Sequence, residues 1–527
     1  RLFVAESGLN AVGVLDAVTG AVLGHVPTAW YPAQLAMAPD GATLFVSNAK
    51  GFGAGPNGGP AFRPGLRPDP DAAYIGRLMR GTVSVIPVPQ DAALPAHTAR
   101  VMANNGLVPK TPTRSADHPV PELAGRPSPK IKPVVFIVKE TRTFDEVFGD
   151  LPGANGEPLL ARYGLGRKVG RYTGVDVMPN HHALARRFAT SDNFYVDSDV
   201  SADGHRWLVG AYPNHWVEAM TAAAYGDGAK FVKKTKAPGR LAIAESASTL
   251  MPEDYMEKGS MWHQFEAHGV RFRNYGQGID SAGSDTDDEE MAPTGVRDPT
   301  NVPMPQVLFA NTARDFPTFN THIPDQYRVD VFLRDLAKWS SGAEAMPSFV
   351  LLYLPNDHGD RPRFGYPFLH SYMADNDLAV GRVIEAFSKS PMWKDMSILI
   401  TEDDAQAGVD HVDAHRSVLL HVGPWARRNY VSHRQASIAS ITKTIYRMLG
   451  LPDVSLYDAA AADLADLFAT SPDLEPYKAL PVDKRIFDAE LVKDPNDPTY
   501  KRDQKDERPE LDDMEEAMRQ VRAAARQ

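Results

Sequence analysis

The feature that most constrains this 527-residue chain is a series of strand-sized apolar runs, several of which end in polar clusters. The runs KPVVFIVKE, PSFVLLYLP, MSILITEDD and SVLLHVGPWA alternate with amphipathic stretches such as NHHALARRFA and DLAVGRVIEAFSKS. Strands that are apolar throughout are buried on both faces, so the pattern predicts an α/β domain with a mainly parallel sheet covered by helices on both faces. In such sheets the chemistry lies at the carboxyl ends of the strands.

Residues 1–104 have a different pattern. LFVAESG at 2–8 recurs as LFVSNAK at 44–50, an offset that matches one blade of a β-propeller, and Asp40-Gly41 predicts a hairpin turn. We interpret 1–104 as the C-terminal blades of a truncated propeller whose other blades precede Arg1. A single small β-sandwich is the alternative. The remaining predicted regions are a Pro-rich linker at 105–131, the α/β domain at 132–470 and a charged C-terminal extension with a helix-like end at 471–527.

Composition excludes several classes of function. The chain has no cysteine, so it has no disulfide framework, no thiol nucleophile and no Cys-ligated metal, and any metal must bind to oxygen and imidazole. The net charge of −11 argues against nucleic acid as the main partner. No apolar run approaches the roughly 20 residues that span a bilayer. Because the chain begins inside a strand without Met, we expect a trimmed start, and the compartment cannot be read from it.

Two segments place single polar groups where chemistry is expected. Glu140 follows an apolar strand, where a carboxylate serves as a metal ligand or a general base, although Thr141, Thr143 and Asp145 equally suit a helix N-cap. Ser201 lies where an extended stretch gives way to a helix, a position suited to a phosphoryl group. For an isolated serine, a simple N-cap is the common alternative. The sequence alone leaves both alternatives open.

Two further segments follow apolar strands and carry acids beside histidines. Asp357 and His358 come after SFVLLYL and form a metal or acid/base pair, or else a turn. The segment 398–417 is richer, and a cation would neutralise its crowded acids. An acidic surface loop is the alternative there. Its polar residues are Glu402, Asp403, Asp404, Asp410, His411, Asp413, His415 and Arg416.

Taken together, four motifs resemble one family. ETRTFD at 140–145, DNFY at 192–195, SADGH at 201–205 and TEDD…GVDH at 401–411 are similar to the bacterial phosphoesterases that include phospholipase C enzymes and acid phosphatases, with an alkaline-phosphatase-like core. Residues 1–104 resemble YVTN-type propeller repeats of bacterial exported proteins. The resemblance implies a metal ligand at Glu140 and a nucleophile at Ser201 with His205 beside it. It also implies paired acids at Asp403 and Asp404. Thr141 departs from the family's Asn.

The resemblance implies a metal-dependent phosphoric ester hydrolase that acts through a phosphoserine intermediate. The expected cofactor is a divalent ion, Zn²⁺, Mn²⁺, Mg²⁺ or Ca²⁺, and the expected location is periplasmic or secreted. The alternative is a catalytically degenerate phosphatase-like protein whose propeller binds a ligand or partner. The predicted site residues divide into two sets. The catalytic set is Ser201, His205, His358 and Arg416, and the metal set is Glu140, Asp357, Asp403, Asp404, His411 and His415.

Overall fold

The structure is a computed structural model. It describes residues 1–59, 75–108, 111–218, 258–278, 305–359 and 367–491, except positions 213, 216, 318, 322 and 407. The predicted C-terminal helix, half of the Gly- and Pro-rich segment 51–80 and most of residues 218–330 therefore lie outside the described residues. No helix within the described ranges has the length and apolar character needed to cross a membrane.

The first region consists of two three-stranded antiparallel sheets followed by a helix. The hairpin predicted at Asp40-Gly41 is confirmed, since Met37 pairs with Leu44 across it. Its elements are β1 (Leu2–Glu6), β2 (Ala11–Leu15), β3 (Val22–Pro27), β4 (Trp30–Met37), β5 (Thr43–Gly51), β6 (Thr82–Pro87) and α1 (Leu94–Asn104). The described residues form no closed propeller, so the propeller stays a prediction.

The Pro-rich segment 105–131 contains no helix or strand where it is described, as its six prolines predict. The segment is nevertheless packed against the α/β domain. Val120 and Ile131 are buried in the core of the α/β domain, and Arg114 forms an ion pair with Asp463 at 2.9 Å. The segment thus packs along the domain that it precedes.

The α/β domain contains a seven-stranded sheet with the order β12-β13-β7-β14-β15-β10-β16. All of its strands are parallel except β15, which is antiparallel to both of its neighbours. The prediction of a mixed α/β domain with a mostly parallel sheet is confirmed. The seven strands are β7 (Val134–Lys139), β10 (Ala189–Ser191), β12 (Phe272–Tyr275), β13 (Phe349–Tyr353), β14 (Ser397–Glu402), β15 (Leu419–Val422) and β16 (Tyr430–Ser432).

Helices cover both faces of the seven-stranded sheet. Side chains of one strand alternate between the two faces, so the strand contributes to two cores. Ile398 and Ile400 of β14 belong to one core, and Leu399 belongs to the other. The first core includes side chains of α2 (Phe144–Phe148), α3 (Pro179–Arg187), α7 (Asp325–Ser341) and α8 (Leu369–Ser388). The second includes side chains of α4 (Ser201–Gly210), α5 (Met261–Ala267), α6 (Gln306–Asn311) and α9 (Ile438–Leu449), with α10 (Leu456–Ala460) beside it. Two small pairs, β8 (Arg167–Val169) with β9 (Tyr172–Val175) and β11 (Phe194–Tyr195) with β17 (Ala436–Ser437), complete the domain.

Candidate active site

Adjacent parallel strands bring two acidic segments together at one edge of the sheet. Lys139 at the end of β7 is in register with Glu402 at the end of β14. Glu140 therefore leaves the sheet beside Asp403, and the Thr141 N–H donates to Asp403 Oδ1 at 3.1 Å. The helix α4 approaches the same point closely. A Cβ on its Gly204 would lie 2.4 Å from the Asp403 carbonyl oxygen, so only glycine permits this approach.

Ser201 is the first residue of α4, and its hydroxyl is directed at the acids. Oγ donates to Asp404 Oδ2 at 2.6 Å and lies 3.1 Å from Glu140 Oε2. Val200, rather than Ser201, occupies the N-cap position, and its N–H is satisfied by Asp203 Oδ1 at 3.1 Å. The N-cap interpretation of Ser201 is therefore wrong. A group bound at Ser201 would therefore lie beside the hydroxyl, the N-terminus of α4 and the carboxylates.

His205 lies one turn along α4 and faces the same acids. Its Nε2 is 2.9 Å from Glu140 Oε1 and 3.3 Å from Asp403 Oδ2, and its Nδ1 is 3.1 Å from Gln277 Oε1. The Tyr353 hydroxyl also donates to Glu140 Oε1. We call Glu140, Ser201, His205, Asp403 and Asp404 the Ser201 cluster. All five are buried.

Three buried charged residues, Lys139, Asp357 and Glu402, lie next to the cluster, and one of them bonds to the backbone of Glu140. The buried Lys139 ammonium lies 2.7 Å from both Asp357 Oδ2 and Glu402 Oε1, which compensates its charge. Asp357 Oδ1 in turn accepts the Glu140 N–H at 3.1 Å. The predicted metal ligand Asp357 therefore lies next to the cluster with one oxygen directed to Lys139 and the other to the backbone of Glu140.

The electrostatics of the cluster reflect burial of like charges. Burial and the negative charge of Glu140 raise the pKa of Asp403 to about 7. Burial and the charge of Asp403 raise the pKa of Asp404 well above its ordinary value. Burial alone would also raise the pKa of Glu140, but the hydrogen bond and charge of His205 lower it to about 2. Within the cluster, His205 is thus the source of positive charge for the three carboxylates.

The donor set fits a divalent cation. Glu140, His205 and Asp403 each present a ligand atom, and these atoms lie within 4.8 Å of one another. Asp404 Oδ1 is buried and accepts no hydrogen bond, and Asp403 Oδ2 has an ion-pair contact with His205 Nε2 at 3.3 Å but no hydrogen bond. Buried carboxylate oxygens without a partner are costly, and oxygen plus imidazole ligands suit Zn²⁺, Mn²⁺, Mg²⁺ or Ca²⁺. Glu140, Asp403, Asp404 and His205 would hold the ion.

Two predicted residues lie elsewhere, in a neighbouring cluster. Arg416 is fully buried, with Nη2 2.8 Å from Asp145 Oδ1 and Nε 3.0 Å from Asp410 Oδ2. His411 pairs with Asp145 through Nδ1 at 2.5 Å. We call Asp145, Asp410, His411 and Arg416 the Arg416 cluster. The structure does not bring His411 or Arg416 into contact with Ser201, so their predicted metal and catalytic roles stay predictions.

The two remaining predicted histidines, His415 and His358, have different surroundings. Both nitrogens of His415 are engaged, Nδ1 with Asp413 at 2.9 Å and Nε2 with Asp199 at 2.8 Å. Burial would lower its pKa, but these hydrogen bonds raise it to about 9. The predicted role of His415 as a metal ligand stays a prediction. His358 is half-buried and comes directly after Asp357, which accepts the Glu140 N–H; its Nδ1 lies 2.6 Å from the Gly359 carbonyl oxygen.

The sequence profile of the Phosphoesterase family matches residues 167–452, more than half of the chain, and so includes Ser201, Asp403 and Asp404. The chain belongs to the Phosphoesterase family. It is therefore an enzyme that acts on phosphoric esters. The matched range begins after Glu140, whose placement in the cluster rests on the structure. No curated protein sequence matches this phosphoesterase.

Several solved structures are similar to the phosphoesterase at low identity. A protein of the alkaline phosphatase superfamily from Vibrio parahaemolyticus is 15% identical, over 67% of this chain and 74% of its own, with a TM-score of 0.37. Murine ectonucleotide pyrophosphatase/phosphodiesterase 5 is 11% identical, over 64% and 100%, with a TM-score of 0.35. The lipoteichoic acid synthase from Listeria monocytogenes is 11% identical, over 68% and 79%, with a TM-score of 0.37. These likenesses are too distant to assign a substrate.

Sequence reasoning missed two residues whose side chains contact the Ser201 cluster of the phosphoesterase, and a third, Lys139, whose side chain pairs with acids next to it. Tyr353 and Gln277 contact Glu140 and His205, and Lys139 compensates Asp357 and Glu402. Two of these three residues could have been identified from the sequence. Lys139 and Tyr353 are polar groups at the carboxyl ends of otherwise apolar strands, and a buried lysine in such a strand requires acidic partners. Gln277 follows the short edge strand β12 and had no such signal.

A cavity of about 560 Å³ lies between the first region and the α/β domain of the phosphoesterase. Its lining includes Trp30, Lys50, Tyr195, Asp197 and His415, and no member of the Ser201 cluster. Trp30 is 54% exposed, and Lys50 pairs with Glu218 at 2.9 Å. The cavity is therefore separate from the candidate active site.

Proposed function

We propose that this phosphoesterase hydrolyses phosphoric esters through a covalent phosphoserine at Ser201, in an alkaline-phosphatase-like domain. The observation that carries the proposal is the hydrogen bond from the Ser201 hydroxyl to Asp404 Oδ2 at 2.6 Å, at the first residue of a helix and beside Glu140. A serine hydroxyl is a weak nucleophile until its proton has an acceptor. Asp404 supplies that acceptor.

In the first step the Ser201 oxygen forms a bond to phosphorus, the ester oxygen leaves, and the hydroxyl proton moves toward Asp404. The helix N-terminus directs its dipole at the phosphoryl oxygens. A divalent ion held by Glu140, Asp403, Asp404 and His205 would supply Lewis-acid stabilisation of phosphate charge. His358, which follows Asp357 and is partly exposed, is the proposed donor of a proton to the leaving oxygen. Water then cleaves the phosphoserine, which releases phosphate and restores Ser201.

Ser201→Ala tests this mechanism. We expect hydrolysis of 4-nitrophenyl phosphate or its diester to fall by at least about 10³-fold, because the nucleophile is removed. A peptide carrying Ser201 from acid-quenched wild type should also carry one phosphoryl group. The matched control is Ser260→Ala, since Ser260 is a buried serine before a helix whose Oγ contacts His263 at 3.0 Å, away from the Ser201 cluster.

The three substrates 4-nitrophenyl phosphate, its diester and 4-nitrophenyl sulfate separate monoesterase, phospholipase C-like diesterase and sulfatase activities. Activity unchanged in Ser201→Ala would contradict the serine mechanism. No activity in the wild type would favour the second candidate, a degenerate phosphatase-like protein that binds a ligand or partner through its first region. The cavity beside Trp30 supports that candidate. Periplasmic or secreted location stays a prediction from resemblance.

A further inference from the structure

The first region of the chain is joined to the segment 408–417, here called the 408–417 loop, which follows the acids of β14. Gly55 N–H donates to Asp413 Oδ2 at 3.0 Å, and its carbonyl accepts from the Ala414 N–H at 2.9 Å. Ala54 and Ala414 also share a small apolar cluster with Ile75 and Leu78. The loop is therefore held by a segment that lies more than 350 positions away in the chain.

Asn57 makes the most complete set of these contacts. Its Nδ2 donates to the Gly408 carbonyl at 2.6 Å, and its Oδ1 accepts from the Asp410 N–H at 2.8 Å. Its own N–H and that of Gly58 donate to the Asp410 carbonyl at 3.2 and 3.0 Å. Asn57 is fully buried. Its amide thus satisfies loop groups that are shielded from water, and their loss is costly.

The 408–417 loop is also bonded to the segment that carries Glu140. Thr143 Oγ1 donates to the Val409 carbonyl at 2.7 Å, and Ser417 Oγ donates to the Arg142 carbonyl at 2.6 Å. The loop begins four residues after Asp404. It therefore links the two chain segments that supply the carboxylates of the Ser201 cluster, and Asn57 holds this link from outside the α/β domain.

We propose that Asn57 is a positioning residue for the Ser201 cluster, through which the first region sets the placement of Asp403 and Asp404 relative to Glu140. The inference rests on the proposed function in so far as the cluster holds a divalent ion. Groups that orient metal ligands from outside the ligand set change metal affinity by about 10- to 100-fold when they are removed. The first region then contributes to the geometry of the active site, although it lies outside the α/β domain.

The test compares Asn57→Ala with Asn48→Ala in the full chain. Asn48 is a matched control because it is also a buried asparagine of the first region, yet its Nδ2 contacts Val46, Thr82 and Ser84 within the β4–β6 sheet. Mn²⁺ affinity is measured by titration calorimetry on metal-free protein, and hydrogen exchange is measured on peptides covering 140–146 and 408–417. Asn57→Asp keeps the shape and the acceptor but removes the donor to Gly408, and it is used if Asn57→Ala does not fold.

We expect Asn57→Ala to weaken Mn²⁺ binding by about 10-fold or more and to speed exchange in both peptides. Asn48→Ala should leave Mn²⁺ affinity and both peptides unchanged, even where its unfolding temperature falls. Equal behaviour of the two variants would overturn the proposal. If the wild type binds Mn²⁺ but hydrolyses no ester, the proposed function fails while the affinities still decide the role of Asn57. If it binds no Mn²⁺, exchange in the 140–146 peptide decides it.

Discussion

The Ser201 cluster and the Arg416 cluster both contain carboxylates and one histidine, and they differ in how the negative charge is compensated. Each has three acid or imidazole groups whose ligand atoms lie within 4.8 Å of one another, and each follows β7 and β14. In the Arg416 cluster, a guanidinium lies between Asp145 and Asp410 and satisfies both. In the Ser201 cluster, the three carboxylates share the imidazole of His205, and Asp404 Oδ1 accepts no hydrogen bond. We therefore expect the Ser201 cluster, where negative charge is less fully compensated, to bind a cation in preference to the Arg416 cluster.

Among the changes that compare the two clusters, the largest effect is expected from removing one charge from each cluster. Asp403→Asn should reduce Mn²⁺ affinity and ester hydrolysis by at least about 100-fold, because it removes a ligand charge. Asp410→Asn should lower Mn²⁺ affinity by no more than the roughly 10-fold expected when the 408–417 loop is loosened, but it should lower the free energy of unfolding by about 3 kcal/mol, because it breaks a buried ion pair. Calorimetry and urea unfolding measure the two effects. Loss of Mn²⁺ binding in Asp410→Asn alone would reverse the assignment of the clusters.

A smaller effect is expected in the pH dependence of stability. In metal-free protein, the folded-state pKa of Asp403 is raised to about 7 from 3.8, so the folded state binds more protons than the unfolded state between these values. Its contribution to stability is therefore full below about pH 4 and is lost as the pH rises to about 7. Glu140, with a pKa near 2, adds no slope above about pH 5.

Urea unfolding in chelator at pH 5 and pH 8 measures this difference. We expect a fall in stability that becomes smaller in Asp403→Asn and smaller in the wild type with Mn²⁺. Burial and the negative charge of Asp145 also raise the pKa of Asp410 to about 7. Asp410 therefore keeps its contribution to the pH dependence of stability both in Asp403→Asn and in the wild type with Mn²⁺. An equal slope in wild type and Asp403→Asn would mean that Asp403 is compensated in a way that the structure does not show.

The smallest effect concerns Thr141, which has a φ of 57° between the two clusters. A β-branched residue is strained there, whereas Asn adopts this conformation readily. Thr141→Asn should raise the free energy of unfolding by about 1 kcal/mol and should also raise Mn²⁺ affinity, since an amide oxygen is added beside Glu140. Thr141→Ser, which removes the branch without adding an amide, separates the two effects. A loss of stability in Thr141→Asn would contradict the strain.

Much of the fold could be predicted because its signals are local. The apolar runs become β7, β13, β14 and β15, and the stretch beginning at Asp377 falls in α8. The rule that parallel strands end at one edge accounts for the meeting of Glu140, Asp403 and Asp404, whereas the place of Ser201 beside them was implied by the family resemblance. The roles of the histidines could not be predicted in this way. His205, His358, His411 and His415 differ in partners that come from distant segments, such as Asp145 for His411 and Asp199 for His415.

The sequence by itself determined a mainly parallel sheet with acids at its strand ends, a site limited to oxygen and imidazole, and a serine where a helix begins. These properties depend on neighbouring residues and on composition. Tertiary structure alone decided which acids meet Ser201, which are neutralised by Arg416 and which segment holds the 408–417 loop. The physical reason is that the free energy of a buried carboxylate depends on the charge and hydrogen bonds around it. In this protein those partners come from chain positions hundreds of residues apart.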